Sequence, residues 1–153
     1  MKIKNWILGT ALMCSAGIGW AQTPDSQYDP ELAKKLGADE RGMKNYVLVM
    51  LKTGSNTTTD KAYIDSCFTG HMSNMTRLAG EGKLIVAGPL GKNERTYRGI
   101  FILDVPYEEA PAVLQTDPAI HSGLLDYEAY RWYGSAALPV YMETDAKLRP
   151  SKP

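Results

Sequence analysis

The chain has 153 residues, and its 17 Lys and Arg balance 17 Asp and Glu, so the formal net charge is zero. That balance excludes the basic field that draws a protein to nucleic acid, and the length suits a leader plus one domain of ordinary size. Two cysteines are too few for a disulfide-dense scaffold.

Lys2 and Lys4 precede an uncharged apolar run, Trp6 to Trp20, which ends in Gly19-Trp20-Ala21. This order of basic, apolar and small residues predicts a signal peptide over residues 1–21. The run falls short of the ~20 apolar residues of a spanning helix, and no basic stop signal follows it. Met13 stands before Cys14, where a lipoprotein signal needs a small residue. Cleavage removes Lys2, Lys4 and Cys14 but no acidic residue, and leaves the chain two charges negative. The expectation is a bacterial protein, periplasmic or secreted and free of the membrane after cleavage. Cys67 then has no partner for an intramolecular bridge. With apolar neighbours it reads as a buried small hydrophobe, so stability must come from packing, including a partner subunit.

Residues 22–43 form a linker-like arm with one local signal: Asp29 as N-cap, Pro30 at the first helical position and Gly37 as a stop. The domain spans residues 44–138. Its strands are predicted at Tyr46 to Leu51, Lys83 to Ala87, Gly99 to Val105 and Tyr127 to Trp132; the first and third are apolar on both faces. Helical spacing covers Asp60 to Ala79 and, more weakly, Tyr107 to Leu114. The tail, residues 139–153, offers one short extended piece, Val140 to Glu143.

The order β-α-β-β-α-β defines an α+β, ferredoxin-like fold with a four-stranded antiparallel sheet, helices on one face and the first and third strands in the centre. Helices cover only one side of such a sheet, so a second copy packed face to face is expected on the other, giving a homodimer.

Along the first long helix, Ile64, Cys67, Phe68, His71, Met75 and Leu78 fall on one stripe, with His71 at its middle. The plainer role for His71 is a core histidine held by one hydrogen bond. Asp117 precedes Pro118, a pairing that helix capping alone explains. The functional alternative is a long-range contact in which Asp117 fixes the imidazole tautomer and His71 moves a proton. Cys67 with His71, and Asp117 with His121, each lie four apart, as zinc ligands can, but neither pair belongs to a specific ligand motif and no metal is expected. A Cys67 thiolate beside His71 would need an electropositive setting that its apolar neighbours do not provide. Arg98 and Arg131 are candidates to bind a carboxylate, though strand-edge solvation explains both. Tyr127, Tyr130, Trp132 and Tyr133 form either an aromatic wall for a ligand or an ordinary interface. Of these residues, Arg98 and Trp132 are the substrate-binding candidates.

The segments "GHMSNMTRLAGEGKLIVAGPL", "RGIFILDV", "YEEAPAVLQTDPAIHSGLL" and "YEAYRWYGSAAL" together resemble the YCII-related family of small dimeric α+β proteins, over Lys44 to Leu138. The resemblance implies a dimeric α+β barrel and a histidine-aspartate dyad at His71 and Asp117. Family members with assigned chemistry resemble dehydrochlorinases and muconolactone-isomerase-like proteins, which act on small cyclic substrates without metal or organic cofactor. The signal peptide, arm and tail depart from the usual short form. Three functions stay open: a cofactor-independent lyase or isomerase, a noncatalytic small-ligand-binding protein and a structural homodimer.

Overall fold

A computed structural model describes residues 27–148; the expected signal peptide, residues 1–21, and the last five residues of the tail lie outside the described residues. The arm contains the expected helix, α1 (Pro30–Leu36). Asp29 accepts from the amides of Glu31 and Leu32, and Gly37 ends the helix at φ 69°, a left-handed turn that glycine enters without strain.

The domain runs β1 (Met43–Thr53), α2 (Lys61–Gly80), β2 (Leu84–Pro89), β3 (Tyr97–Leu103), α3 (Ala110–Leu114), α4 (Pro118–His121) and β4 (Leu125–Ser135). The sheet is antiparallel in the order β2-β3-β1-β4, so the two strands apolar on both faces are central. This is the ferredoxin-like arrangement. The second helical segment, expected over Tyr107 to Leu114, opens as a 3-10 turn, Tyr107–Glu109, that leads into α3, and a separate α4 starts at the expected Asp117-Pro118 cap. Pro118 has no amide hydrogen and holds Asp117 in extended geometry, which keeps α3 and α4 apart.

Side-chain alternation divides the sheet's two faces. On the helix side, Val47 and Val49 lie opposite Leu103 and Phe101 and pack with Leu78, Leu114, Ile120 and Leu125 into the main core. Burying each such side chain contributes about 1.5–3 kcal/mol. On the other side, Tyr46, Ile85 and Ile102 form a smaller cluster with Leu48, Val86 and Trp132. The tail is helical rather than extended, with a 3-10 turn, Leu138–Tyr141, followed by α5 (Met142–Leu148). Leu138 and Met142 pack on the smaller cluster, and the Tyr141 hydroxyl donates to the Ile85 carbonyl at 2.6 Å. The chain thus covers part of its own second face, where the apolar pattern led us to expect a second copy alone. Met50 and Ile100 remain half-buried on that face, and Tyr130 is exposed.

Tyr46 sits 2 % exposed in this cluster, donating to the Ser135 carbonyl at 2.9 Å beside the Trp132 ring. Burial, with a smaller push from the Asp104 carboxylate, raises its hydroxyl from the ordinary 10.0 to about 12. The fold therefore keeps a proton that the unfolded chain releases earlier. This contribution is full below pH 10 and is lost as pH rises to 12. The urea midpoint of the wild type should fall over that window, by at most about 2 kcal/mol in stability once screening of Asp104 is allowed for. Tyr46→Phe should lack this component. Equal alkaline losses in the two proteins would remove Tyr46 as the cause.

Candidate functional site

α2 is started by Asp60, whose carboxylate accepts from the Tyr63 amide at 3.2 Å. The stripe it buries is Cys67, His71, Asn74 and Leu78. Two polar side chains on a buried stripe need partners, because an unpaired buried polar group costs about 1–3 kcal/mol. The partners come from the loop between α3 and α4. Asp117 is 1 % exposed and serves two purposes. Its Oδ1 accepts from the amides of Ala119 at 2.9 Å and Ile120 at 3.4 Å, capping α4, while Oδ2 lies 2.6 Å from His71 Nδ1. Capping and the long-range contact therefore coexist in one side chain.

The two elements approach closely because Gly70 faces Pro118: a β-carbon on residue 70 would lie 2.7 Å from Pro118 Cγ. The imidazole stacks on Phe101 of β3, with ring centroids 6.0 Å apart and planes at 19°, and meets the edge of Phe68 at 6.1 Å. Packing fixes the ring's plane and Asp117 fixes its rotation. An ionised carboxylate only accepts hydrogen bonds, so Nδ1 carries the hydrogen and Nε2 carries the lone pair of the neutral ring. Nε2 makes no hydrogen bond among the described residues. Because no sealed side-chain nitrogen or oxygen there lacks a partner, Nε2 keeps contact with solvent. A ring held this way can serve as a base at Nε2, with the carboxylate placed to stabilise an imidazolium.

Other candidates fall elsewhere. Arg98 is exposed in a hollow lined by Thr53, Leu90 and Asn93, with no hydrogen bond or ring contact to the dyad. Trp132 belongs to the cluster on the opposite sheet face and cannot line a site with His71. The four aromatics of β4 make no single wall, because alternation sends Tyr127 towards the helices and Trp132 away from them, with Tyr133 and Tyr130 following in turn. Arg131 stacks over Tyr107 at 4.3 Å and pairs with Glu108 at 2.5 Å, beside a hollow of about 490 Å³ that also includes Asn45 and Asp104. Cys67 is buried and makes no hydrogen bond to His71. The His121 side chain is exposed, while its amide donates to the Asp117 carbonyl. Among the described residues no three His, Cys, Asp or Glu side chains cluster as metal ligands would.

Sequence reasoning missed Asn74, Arg77 and Thr116. Arg77 Nη2 donates to Asn74 Oδ1 at 2.7 Å and to Thr116 Oγ1 at 3.0 Å, while its Nη1 holds Glu81 at 2.6 Å. The usable signal was Asn74, a polar residue three positions after His71 on the same stripe.

No family model matches the chain, and no curated protein matches it. Among solved structures it is similar to the 5-chloro-2-hydroxyhydroquinone dehydrochlorinase of Burkholderia phenoliruptrix AC1100, in complex with 2,5-dihydroxybenzoquinone. The match has 20% identity and a TM-score of 0.42, covering 57% of this chain and 92% of that one. The ferredoxin-like fold stands on this chain's own strand order and register.

Proposed function

We propose that this chain is a YCII-like protein acting on small molecules: a cofactor-independent lyase or isomerase in which His71 moves a proton and Asp117 orients it. One observation carries this reading, the 2.6 Å contact between His71 Nδ1 and a buried Asp117 that leaves Nε2 in contact with solvent. The substrate is a small cyclic or carbonyl-bearing molecule with an acidic C–H. Nε2 takes that proton and the C–H electron pair becomes the new π bond. In a lyase the group on the neighbouring carbon leaves with its own electron pair. In an isomerase an existing adjacent π bond breaks, and its electron pair takes the proton back from Nε2 to form a C–H bond at another carbon of the same molecule. Asp117 holds the imidazolium between the two steps. The protein works as a homodimer and is exported; mass spectrometry of material from the native host should then begin near Gln22, and an intact Met1 would oppose export.

A second reading has support of its own. The dyad is nearly buried, with side-chain exposures of 11% and 1%, as a structural pin between α2 and α4 would be. His71→Gln separates the two. With a substrate found among small cyclic acids and lactones, an acid-base residue predicts a folded variant that binds but turns over about 10²–10⁴ times more slowly. A pin predicts lost stability, about 1–3 kcal/mol, with turnover following the folded fraction. Near-normal turnover in folded His71→Gln eliminates the acid-base mechanism.

A further inference from the structure

Three consecutive residues at the start of α4 meet α2 in reverse order. Pro118 lies on Gly70, Asp117 bonds His71, and Thr116 lies against Asn74 and Arg77. The third contact joins a hydroxyl that also bonds the Val113 carbonyl at the end of α3 to a buried amide on α2. Arg77 is the fork: one nitrogen, Nη2, reaches both Asn74 Oδ1 and Thr116 Oγ1, while Nη1 is held by Glu81 one turn further along. The Thr116 hydroxyl has a single proton to give, either to the Val113 carbonyl at 2.7 Å or to Asn74 Oδ1 at 3.1 Å. Asn74 itself is 8 % exposed, so its carbonyl oxygen is paired where water hardly reaches.

We propose that Asn74, Arg77 and Thr116 are positioning residues: a clamp between α2 and the Asp117 loop that holds the carboxylate on His71 Nδ1. This rests on the acid-base role of His71. Thr116 and Asp117 are adjacent in the chain, so a displacement of one moves the other. His71, Asn74 and Arg77 follow each other at three-residue intervals along one helix side, so the dyad and the clamp are parallel ties between the same two segments. A 1 Å error in placing a catalytic group can cost about 10²-fold in rate, which is the reason for a second tie beside the first. Arginine suits the role because its planar guanidinium reaches several oxygens at fixed angles, which a lysine ammonium does not.

The test is the His71 ring in full-length mature protein, observed by ¹⁵N–¹H NMR with no substrate present. The wild type should show one tautomer, with the hydrogen on Nδ1 and slow exchange of that hydrogen with solvent. Thr116→Val keeps the size of the side chain and removes all three hydroxyl contacts, to Arg77, Asn74 and the Val113 carbonyl. Its Nδ1 hydrogen should exchange roughly tenfold faster through local opening of the loop. Thr116→Ser should restore the slow exchange, and Arg77→Lys should resemble Thr116→Val. Thr116 and Arg77 are at the surface, so these variants should fold. A purely structural role would lower the melting temperature and leave the ring hydrogen's exchange unchanged. Unchanged exchange in folded Thr116→Val, or faster exchange that Thr116→Ser fails to restore, overturns the clamp. Turnover in His71→Gln bears on the acid-base role alone, so the two failures are told apart.

Discussion

Val49→Lys should abolish the folded domain, with loss of the near-ultraviolet circular dichroism signal and of any cooperative urea transition. Val49 is 0% exposed, in a central strand between Phe101 on β3 and Ala129 on β4, beneath the helices. The substitution loses about 1.5–3 kcal/mol of apolar burial and adds several kcal/mol for stripping water from an ammonium ion with no anion beside it. Together these approach the whole stability of an ordinary domain, about 5–15 kcal/mol. Ile102→Lys is the contrasting change. Ile102 is 9 % exposed and points to the opposite face, towards Tyr46 and Ile85. From there a lysine can run its stem over apolar neighbours and set its charge at the surface. This variant should fold, and it should sediment as a monomer at micromolar concentration where the wild type should sediment as a dimer. A cooperative, native-like Val49→Lys protein would refute the assignment of the main core. A monomeric wild type would remove the homodimer.

Asp117 carries the second large effect, which depends on the replacement. Asp117→Ala leaves three buried donors without an acceptor: His71 Nδ1–H and the amides of Ala119 and Ile120. Losing the cap costs about 1 kcal/mol, and the orphaned donors bring the total to about 3–5 kcal/mol. Asp117→Asn keeps an oxygen for the cap and should cost only about 1 kcal/mol in urea unfolding. Its amide group, however, donates towards Nδ1, which drives the imidazole hydrogen to Nε2 and removes the base. Turnover should therefore fall by about 10²–10⁴ in a protein that is still folded. Full turnover in Asp117→Asn would end the dyad mechanism, whatever Asp117→Ala does to stability.

The fold was readable because its signals are local. Two apolar runs bounded by breakers gave the central strands, and Asp60, Asp117-Pro118 and Asp29-Pro30 marked three helix starts. The helical tail was harder to see. Nothing near Val140 announces that Tyr141 will reach the carbonyl of Ile85, a contact made possible only by the completed sheet. The site was half readable for the same reason. His71 stood out as a titratable residue on a buried stripe, and Asp117 as a cap, but the 2.6 Å between them is a tertiary fact. Trp132 clusters with three tyrosines in the sequence, but its place opposite Tyr46, on the sheet face away from His71, depends on a strand register that only the folded sheet defines. Asn74 and Thr116 are ordinary polar residues until Arg77 joins them.

His71 and Asp117 lie 46 residues apart, with the whole β2–β3 hairpin between them. Closing a loop of that length costs conformational entropy, about 0.6 kcal/mol for each doubling, and the contact needs the chain beyond β3 to be present. Nascent chains still emerging from a ribosome would lack it until the segment beyond β3 is released. The tie between α2 and α4 is thus a mark of a nearly finished chain: it forms only in copies whose synthesis has passed the β2–β3 hairpin and reached Asp117.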